Sequence, residues 1–532
     1  MRIFSKAYIP VSLAIVLALS LLLRVQTFRD FPFYNMADYN RDYMVAHYIV
    51  ADGEYPHAGP GNPFAKRATS PAYYYLMAAP LLIKDSIVTL GIFNIILQLL
   101  TLVLVFIFAK RMFGAEVALI ATIIFGFADH ILNQSAFPWQ PYTMQPFLVL
   151  SYLLLVLAYR KKSFAYLLSG VPVFFLSLAL HNSVLALVPL YLLVAFLILR
   201  SMGGTVRHYA TTTAACLSSL VVIFAPSVLS STSKVLYEVR FQWDLFDPFS
   251  AIANFSSRTA MFFRIFFGEA NAPLSQILVG SALLIAVAVY FFYSKQNVLQ
   301  KKFMLVMALC VVWLLVAAAF IPLPPGEPLP LRYFTPILGL FTIFVAEIIG
   351  SLRGKLLYPL KVLLVVLMVY LSSPNLPVLA QKSAKAFIAD GLRYFYVPYQ
   401  PPPFTAALGN EIVKIKESEK KDNYNFFGFR LCGVNRDLKY NCWPENGRHH
   451  IEEMFLVPLE LELKTKLAKI DEETYRGYSS LADEQYIFVM CPDKANTAPC
   501  LDAFLQSSPE YKVLKAFMAE PYQAYVVKRP SS

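Results

Sequence analysis

The sequence predicts a polytopic α-helical membrane protein with a small α/β domain at its C-terminal end. Three observations predict it. The chain of 532 residues is 57% apolar, with a mean hydropathy of +0.53, whereas a soluble domain is about half apolar. Apolar runs long enough to cross a bilayer, about 17–25 residues, recur through residues 1–372. Beyond residue 373 the apolar runs shorten and charge rises, as in Lys414–Asp422 and Lys464–Glu473.

The first apolar run follows Arg2 and Lys6 and ends at Leu23. No small-x-small cleavage site follows it, so it reads as an uncleaved first span rather than a signal peptide. Spans are expected near 8–25, 86–109, 113–129, 145–159, 163–180, 183–199, 209–228, 274–293, 303–321, 333–350 and 356–372, about eleven in all. Alternate connections carry the basic residues: Lys110-Arg111, Arg160-Lys161-Lys162, Arg200 to Arg207, Lys295 to Lys302, and Arg353 with Lys355. The positive-inside rule then puts the N-terminus in the cytoplasm and the C-terminal domain outside it, in a multi-pass protein of the cytoplasmic (inner) membrane. The same placement accounts for the net charge of +12 and argues against nucleic acid as a partner.

The opposite side holds loop 26–85, loop 129–144, the long loop 229–273, the Pro-rich loop 322–332 and everything after about 373. Residues 70–83 are too short to span, and Tyr73, Tyr74 and Tyr75 suit a helix lying in the membrane interface. The expected organisation is a transmembrane domain over 1–372, a linker over 373–403 stiffened by Pro398-Tyr-Gln-Pro-Pro-Pro403, and an α/β domain over 404–532. Alternation predicts strands at 485–491 and 522–528, with helical patterns near 381–396, 405–418 and 452–469. No internal repeat is visible.

Of the six cysteines, Cys216 and Cys310 fall in spans and read as packing residues. Cys432 with Cys442, and Cys491 with Cys500, form two local pairs in the outer domain. An oxidising compartment suits two disulfides. A four-cysteine zinc site is the alternative, although zinc knuckles usually space their ligands by two to four residues.

The segment that points to chemistry is Asp38-Tyr-Asn-Arg-Asp42, in the first outer loop. Asp38 and Asp42 share a face if the segment is helical, with Arg41 beside them. One carboxylate could act as a general base while the other, or the arginine, sets its pKa or binds a phosphate. The plainer reading is a solvated helix start, where aspartate is favoured by the macrodipole.

The flanking sequence narrows this. Asp38, Arg41, Asp42, Gly53, Gly59-Pro60 and Pro71 to Tyr75 resemble the first outer loop of the GT-C superfamily of membrane glycosyltransferases. The likeness is to bacterial members of the glycosyltransferase family 39 type, which includes protein mannosyltransferases and aminoarabinose lipid A transferases. Tyr39-Asn40 and Ser70 depart from that pattern. Gln134-Ser-Ala-Phe-Pro-Trp-Gln-Pro141, Leu178-Ala-Leu-His181 and Leu331-Arg-Tyr-Phe-Thr-Pro336 resemble, more loosely, later motifs of the family. The resemblance covers about residues 1–370.

What the resemblance implies is a GT-C-like transmembrane domain that transfers a hexosyl or pentosyl group. The sugar would come from a polyprenyl-phosphate donor and go to a lipid, protein or polysaccharide acceptor. Asp38 would be the general base, supported by Asp42. Arg332 would clamp the donor phosphate, because a guanidinium matches phosphate oxygens, and Arg41 would share that role. His181, Asp129, Tyr74 and Trp139 would contact substrate. No cofactor is implied with certainty; a divalent metal ion is the one left open, with the two aspartates as its ligands. Less specific candidates are His57, the group His449-His450 with Glu452-Glu453, and a charged stretch around Glu238, Arg240, Trp243, Asp244, Asp247, Arg258 and Arg264.

No GxxxxGK[ST], HExxH or GxSxG motif occurs, which argues against an ATP-driven pump and the familiar hydrolases. The rivals are a polysaccharide polymerase or ligase, a flippase of lipid-linked sugars, and a non-catalytic anchor for the C-terminal domain. A transporter would place charge in mid-span, and the expected spans are nearly free of acidic residues.

Overall fold

The structure is a computed structural model. It describes residues 2–31, 37–51, 53, 55–56, 59, 70–230, 259, 262, 298–319, 331–352, 357–395, 403–419, 427–434, 440–443, 486–491, 501–502, 504–506, 509–519 and 522–529. The expected span at 274–293, most of loop 229–273, the helical pattern at 452–469 and the candidates His57, His449, His450 and Cys500 lie outside these residues.

The described chain is mainly helical. In order come α1 (Arg2–Asp30), α2 (Ala37–Ala51), α3 (Ala72–Leu81), α4 (Ile87–Phe113), α5 (Ala115–Phe127), α6 (Asp129–Asn133), α7 (Gln140–Thr143), α8 (Gln145–Lys161), α9 (Phe164–Leu180), α10 (Val188–Ser201) and α11 (Val206–Ser230). They continue as α12 (Val298–Ala319), α13 (Leu338–Ser351), α14 (Tyr358–Ser372), α15 (Leu376–Asp390) and α16 (Pro403–Glu419). Three 3-10 turns, at Asn182–Leu187, Leu331–Ile337 and Gly391–Phe395, sit between helices. This is a multi-pass membrane protein: six described helices are long and apolar enough to cross a membrane, and α14 with the α15 segment forms a bent pair that passes the same test jointly. The helices α5 and α9 are apolar but shorter. Helices stand at ten of the eleven expected span positions, and the short helix α3 stands within the segment 70–83.

The chain divides into two compact units. The first comprises residues 1–31, 57–76 and 89–397, and holds the bundle. Its packing follows from small residues and tight reversals. Gly91 on α4 faces Phe28 of α1, and any Cβ there would collide with that ring. Gly114, at φ 104, makes the reversal between α4 and α5 in a conformation that favours glycine. Lys162, at φ 52, ends α8 with its N–H on Ala158 O, turning the chain into α9. Lys361 of α14 reaches both Glu116 (2.7 Å) and Gly350 O (3.0 Å), tying α14 to α5 and α13.

The second unit comprises residues 32–56, 77–88 and 398–532. Its sheet has five described strands: β1 (Phe427–Val434), β2 (Tyr440–Trp443), β3 (Tyr486–Cys491), β4 (Lys512–Ala519) and β5 (Tyr522–Lys528). Their order is β2-β1-β3-β5-β4, with β1 and β3 parallel and the other pairs antiparallel. Val489, Cys491, Phe504, Tyr511 and Val527 form a buried core. Helix α16 is fastened to the sheet by Glu411–Lys515 (2.7 Å) and Glu419–Lys528 (2.8 Å), and Tyr486 also donates to Glu419. Those Glu419 contacts raise the Lys528 pKa above its ordinary value, while burial first and then Glu419 raise that of Tyr486.

Candidate functional site

In the first unit, the connection after α6 is built into the bundle by amide side chains. Asn94 and Gln98 stand one helical turn apart on α4, so they share a face, and both are fully buried. Asn94 Nδ2 donates to the carbonyls of Gln134 (2.7 Å) and Phe137 (2.9 Å), and Gln98 Nε2 to that of Tyr142 (3.0 Å). Gln145 Nε2 donates to Gln134 Oε1 (2.8 Å), and Tyr73 OH to Pro138 O (3.2 Å). Buried backbone carbonyls need such partners. The loop they fix presents packed aromatic rings: Phe137, Trp139 and Tyr142 lie 5.5–5.8 Å apart, and Phe31 stacks on Phe137 at 4.9 Å. Trp139 is partly exposed. Tyr74 is buried on α3, its ring 5.8 Å from that of Tyr73.

His181 ends α9 in an extended conformation and caps the following 3-10 turn. Its Nδ1 accepts from Ser183 N–H (3.3 Å) and lies 2.6 Å from Ser183 Oγ. A neutral imidazole that accepts at Nδ1 carries its proton on Nε2. The His181 ring is 6.3 Å from Tyr333, in the turn Leu331–Ile337 that carries Arg332. Helix α7, directly after Trp139, packs on the same turn. The structure therefore brings together the chain segments bearing Trp139, His181 and Arg332.

Asp129 goes elsewhere. Its N–H donates to Ser373 Oγ (2.9 Å), Ser373 Oγ donates to Phe127 O, and Asn375 Nδ2 donates to Asp129 Oδ2 (3.4 Å). The break between α5 and α6 is thus hooked to the bend between α14 and α15. Burial raises the Asp129 pKa, against hydrogen bonds from Asn375 that lower it. Burial also pushes neighbouring His130 down to about 4, and its Nε2 is buried with no hydrogen-bond partner among the described residues.

In the second unit, α2 carries the acidic pair. It starts at Ala37, so Asp38 and Asp42 fall one turn apart near the helix start, with Arg41 between them in sequence. Asp42 is fully buried. The adjacent stripe, Tyr39, Tyr43 and His47 at four-residue spacing, fixes the helix. Tyr39 OH donates to Ile87 O (2.5 Å), Tyr43 OH to Asp85 Oδ1 (3.1 Å), and His47 Nδ1 meets Asp85 Oδ2 at 2.6 Å. This anchoring holds the helix by a stripe about 100° around its axis from the acidic one.

Other expected ligands can be placed. Among the described residues no group of three or more His, Cys, Asp or Glu side chains could hold a metal ion. Cys432 and Cys442 are Cα partners in the β1–β2 register, and Cys491 ends β3. The sequence reading missed the buried amides Asn94, Gln98, Gln134 and Gln145; the signal available was two amides a turn apart inside the apolar run of α4. It also missed Arg24 and Glu347, both fully buried in α1 and α13.

No family model and no curated protein matches the sequence. Solved structures do. ArnT from Cupriavidus metallidurans bound to undecaprenyl phosphate matches with a TM-score of 0.57 at 13% identity, over 99% of this chain and 99% of that one. The apo state of the same ArnT matches with a TM-score of 0.55 at 12% identity, over 99% and 98%. The chain has the GT-C fold. The likeness runs through the C-terminal region as well as the bundle, so the chain shares both parts of its fold with ArnT.

Proposed function

We propose that the chain is a GT-C glycosyltransferase that moves a sugar from a polyprenyl-phosphate donor to an acceptor at the outer face of the inner membrane. The observation that carries this reading is the placement of Asp38 and buried Asp42 at the start of a short, anchored helix after the first span, in a chain with the fold of ArnT along its length. The undecaprenyl phosphate bound to that ArnT supports a polyprenyl-phosphate donor here.

Asp38 takes the proton of the acceptor hydroxyl as the acceptor oxygen attacks the anomeric carbon. The carbon–oxygen bond to the phosphate breaks, its electron pair leaves with the phosphate, and the anomeric configuration inverts. Asp42 keeps the site anionic and in place. Arg332 and Arg41 bind the donor phosphate, where a guanidinium offers paired donors to its oxygens. His181, Asp129, Tyr74 and Trp139 contact sugar or acceptor. Of these, Trp139 and His181 have the strongest structural support, because their segments converge with that of Arg332. Cys432 and Cys442 form one disulfide: directly opposed residues in an antiparallel pair lie about 4.5–5.5 Å apart, within reach of an S–S bridge. Cys491 and Cys500 form the other. Blocking free thiols before mass spectrometry tests both; four alkylated outer cysteines would end that assignment.

The test of function is glycan profiling of the cell envelope by mass spectrometry in a deletion strain, complemented with wild type or Asp38→Asn. A glycan absent with the deletion and with Asp38→Asn, at normal protein level, is the expected result and names sugar and acceptor by mass. Restoration by Asp38→Asn would remove Asp38 as the base. Activity that survives exhaustive chelation would remove a divalent ion. Transport is the second reading, favoured by Arg24 and Glu347, whose burial inside apolar helices is costly. Proteoliposomes that flip a lipid-linked sugar equally well with Asp38→Asn, and transfer none, would decide for it.

A further inference from the structure

Helix α14 ends at Ser372, and after Ser373-Pro374-Asn375 the chain continues as α15 and the turn Gly391–Phe395, with its axis swung by 83°. Helix α14 has 15 residues and is long and apolar enough to cross a membrane only jointly with this segment, which lies nearly perpendicular to it. One face of the segment is fastened to the end of α1. Ser383 Oγ (3.0 Å) and Tyr394 OH (2.7 Å) both donate to Leu22 O. Arg29 pairs with Asp390 (2.9 Å) and donates to Tyr394 O (3.0 Å), and Lys382 pairs with Asp30 (2.7 Å).

The opposite face has a different composition. Val378, Gln381, Lys385, Ile388 and Leu392 follow one another at three- and four-residue spacing, which makes a single stripe on a helix. Val378 is 68% exposed, Ile388 82% and Leu392 84%. Lys385 stands in the middle of this apolar stripe and Arg393 beside it, and neither has an ion-pair partner among the described residues. The acid of the segment, Asp390, is turned to Arg29. Apolar side chains this exposed, with cations of one sign among them, suit a helix lying in the interface, its apolar groups in the acyl boundary and its basic groups at the headgroups.

We propose that this face of α15 is seated in the lipid surface, and that Lys385 and Arg393 bind the headgroups of anionic phospholipids. The inference rests on the membrane fold alone and stands apart from the transferase reading. Three features argue for lipid as the occupant: continuity with the apolar helix α14, the 83° turn, and a face with basic but no free acidic groups.

The full-length protein in nanodiscs tests both halves. A bimane on Ile388→Cys, read against unlabelled background from native cysteines, should be quenched by phospholipid spin-labelled at the headgroup more than by lipid labelled at the chain end. Native mass spectrometry should find phosphatidylglycerol enriched over phosphatidylcholine on the wild type. Lys385→Gln and Arg393→Gln should each lower that enrichment about fivefold, because a basic residue beside an anionic surface contributes about 1 kcal/mol. Lys385→Glu should lower it further, with melting temperature confirming that each variant is folded. Absence of quenching at 388 would overturn the seating. Unchanged phosphatidylglycerol enrichment in the Lys385→Gln, Arg393→Gln double variant would overturn the headgroup assignment.

Discussion

The loop at 134–145 and the helix α2 are both held by side chains that grip a neighbouring segment, but with different chemistry. The loop is gripped by neutral amides, Asn94 and Gln98, buried to the last atom of surface. Helix α2 is gripped through Asp85, by a tyrosine and by a histidine whose contact with it is about one-third open to water, at 27% and 34% exposure. Buried neutral hydrogen bonds do not respond to salt or mild pH change. A partly solvated His–Asp contact responds to salt. The difference teaches that the amides behind the aromatic platform are a fixed scaffold, whereas the helix bearing the proposed base is held by an adjustable contact.

The largest expected effect separates chemistry from scaffold. Asp38→Asn should lower transfer by about 10²–10⁴-fold, the usual contribution of a general base, with an unchanged melting temperature. The glycan profile and a thermal melt of the purified protein read the two halves. Asn94→Ala should do the reverse. It leaves two buried carbonyls, Gln134 O and Phe137 O, without their donor, at a cost of about 1–3 kcal/mol each. A clear fall in melting temperature is expected, with activity per folded molecule retained. If Asn94→Ala abolished turnover without changing the melt, the comparison would break, and Asn94 itself would belong to the chemistry.

Asp85→Asn should have a smaller effect, about 1 kcal/mol or less for a partly solvated pair. Its signature is loss of salt dependence in stability, measured by melts across ionic strength. The smallest effect concerns His130, just ahead of the loop. Burial holds it at about 4 in the folded chain, against about 6.5 when unfolded. As pH falls from 6.5 to 4 the unfolded chain binds a proton that the folded chain refuses, so this contribution is complete above 6.5 and lost across that window. His130→Gln should flatten the acid limb of a stability–pH curve; an identical limb would mean that His130 is neutralised some other way.

The bundle was legible because crossing a bilayer is a one-dimensional demand: apolar length and basic ends are visible in the chain without any partner. Strands β3 and β5 alternate and were legible for a similar reason. Strand β4 was not, since Lys512–Met518 is largely exposed at a sheet edge and keeps no clean alternation, and β2 is four residues long. At the candidate site, Asp38, Arg41 and Asp42 stood out because charge beside a span is conspicuous. Asn94 and Gln98 did not, because two amides in a long apolar run hardly change its hydropathy; their meaning lies in carbonyls about 40 residues away that only the fold supplies. The hook from Asn375 to Asp129 joins positions 246 apart and left no sequence signal.

The strand order of the second unit has a consequence for how the protein is made. Strand β5, the last of the five to leave the ribosome, lies between β3 and β4 rather than at a margin. Until Lys528 has been synthesised, β3 lacks the neighbour that hydrogen-bonds its full length, from Tyr486–Lys528 to Cys491–Gln523, and β4 has nothing to join. Strands β2, β1 and β3 can pair as the chain emerges, but the sheet cannot take in β4 until β5 is made. The sheet is completed in a late step, after every described helix of the bundle has been made, and a chain cut before Tyr522 would keep its described spans but lose the strand that joins β4 to β3.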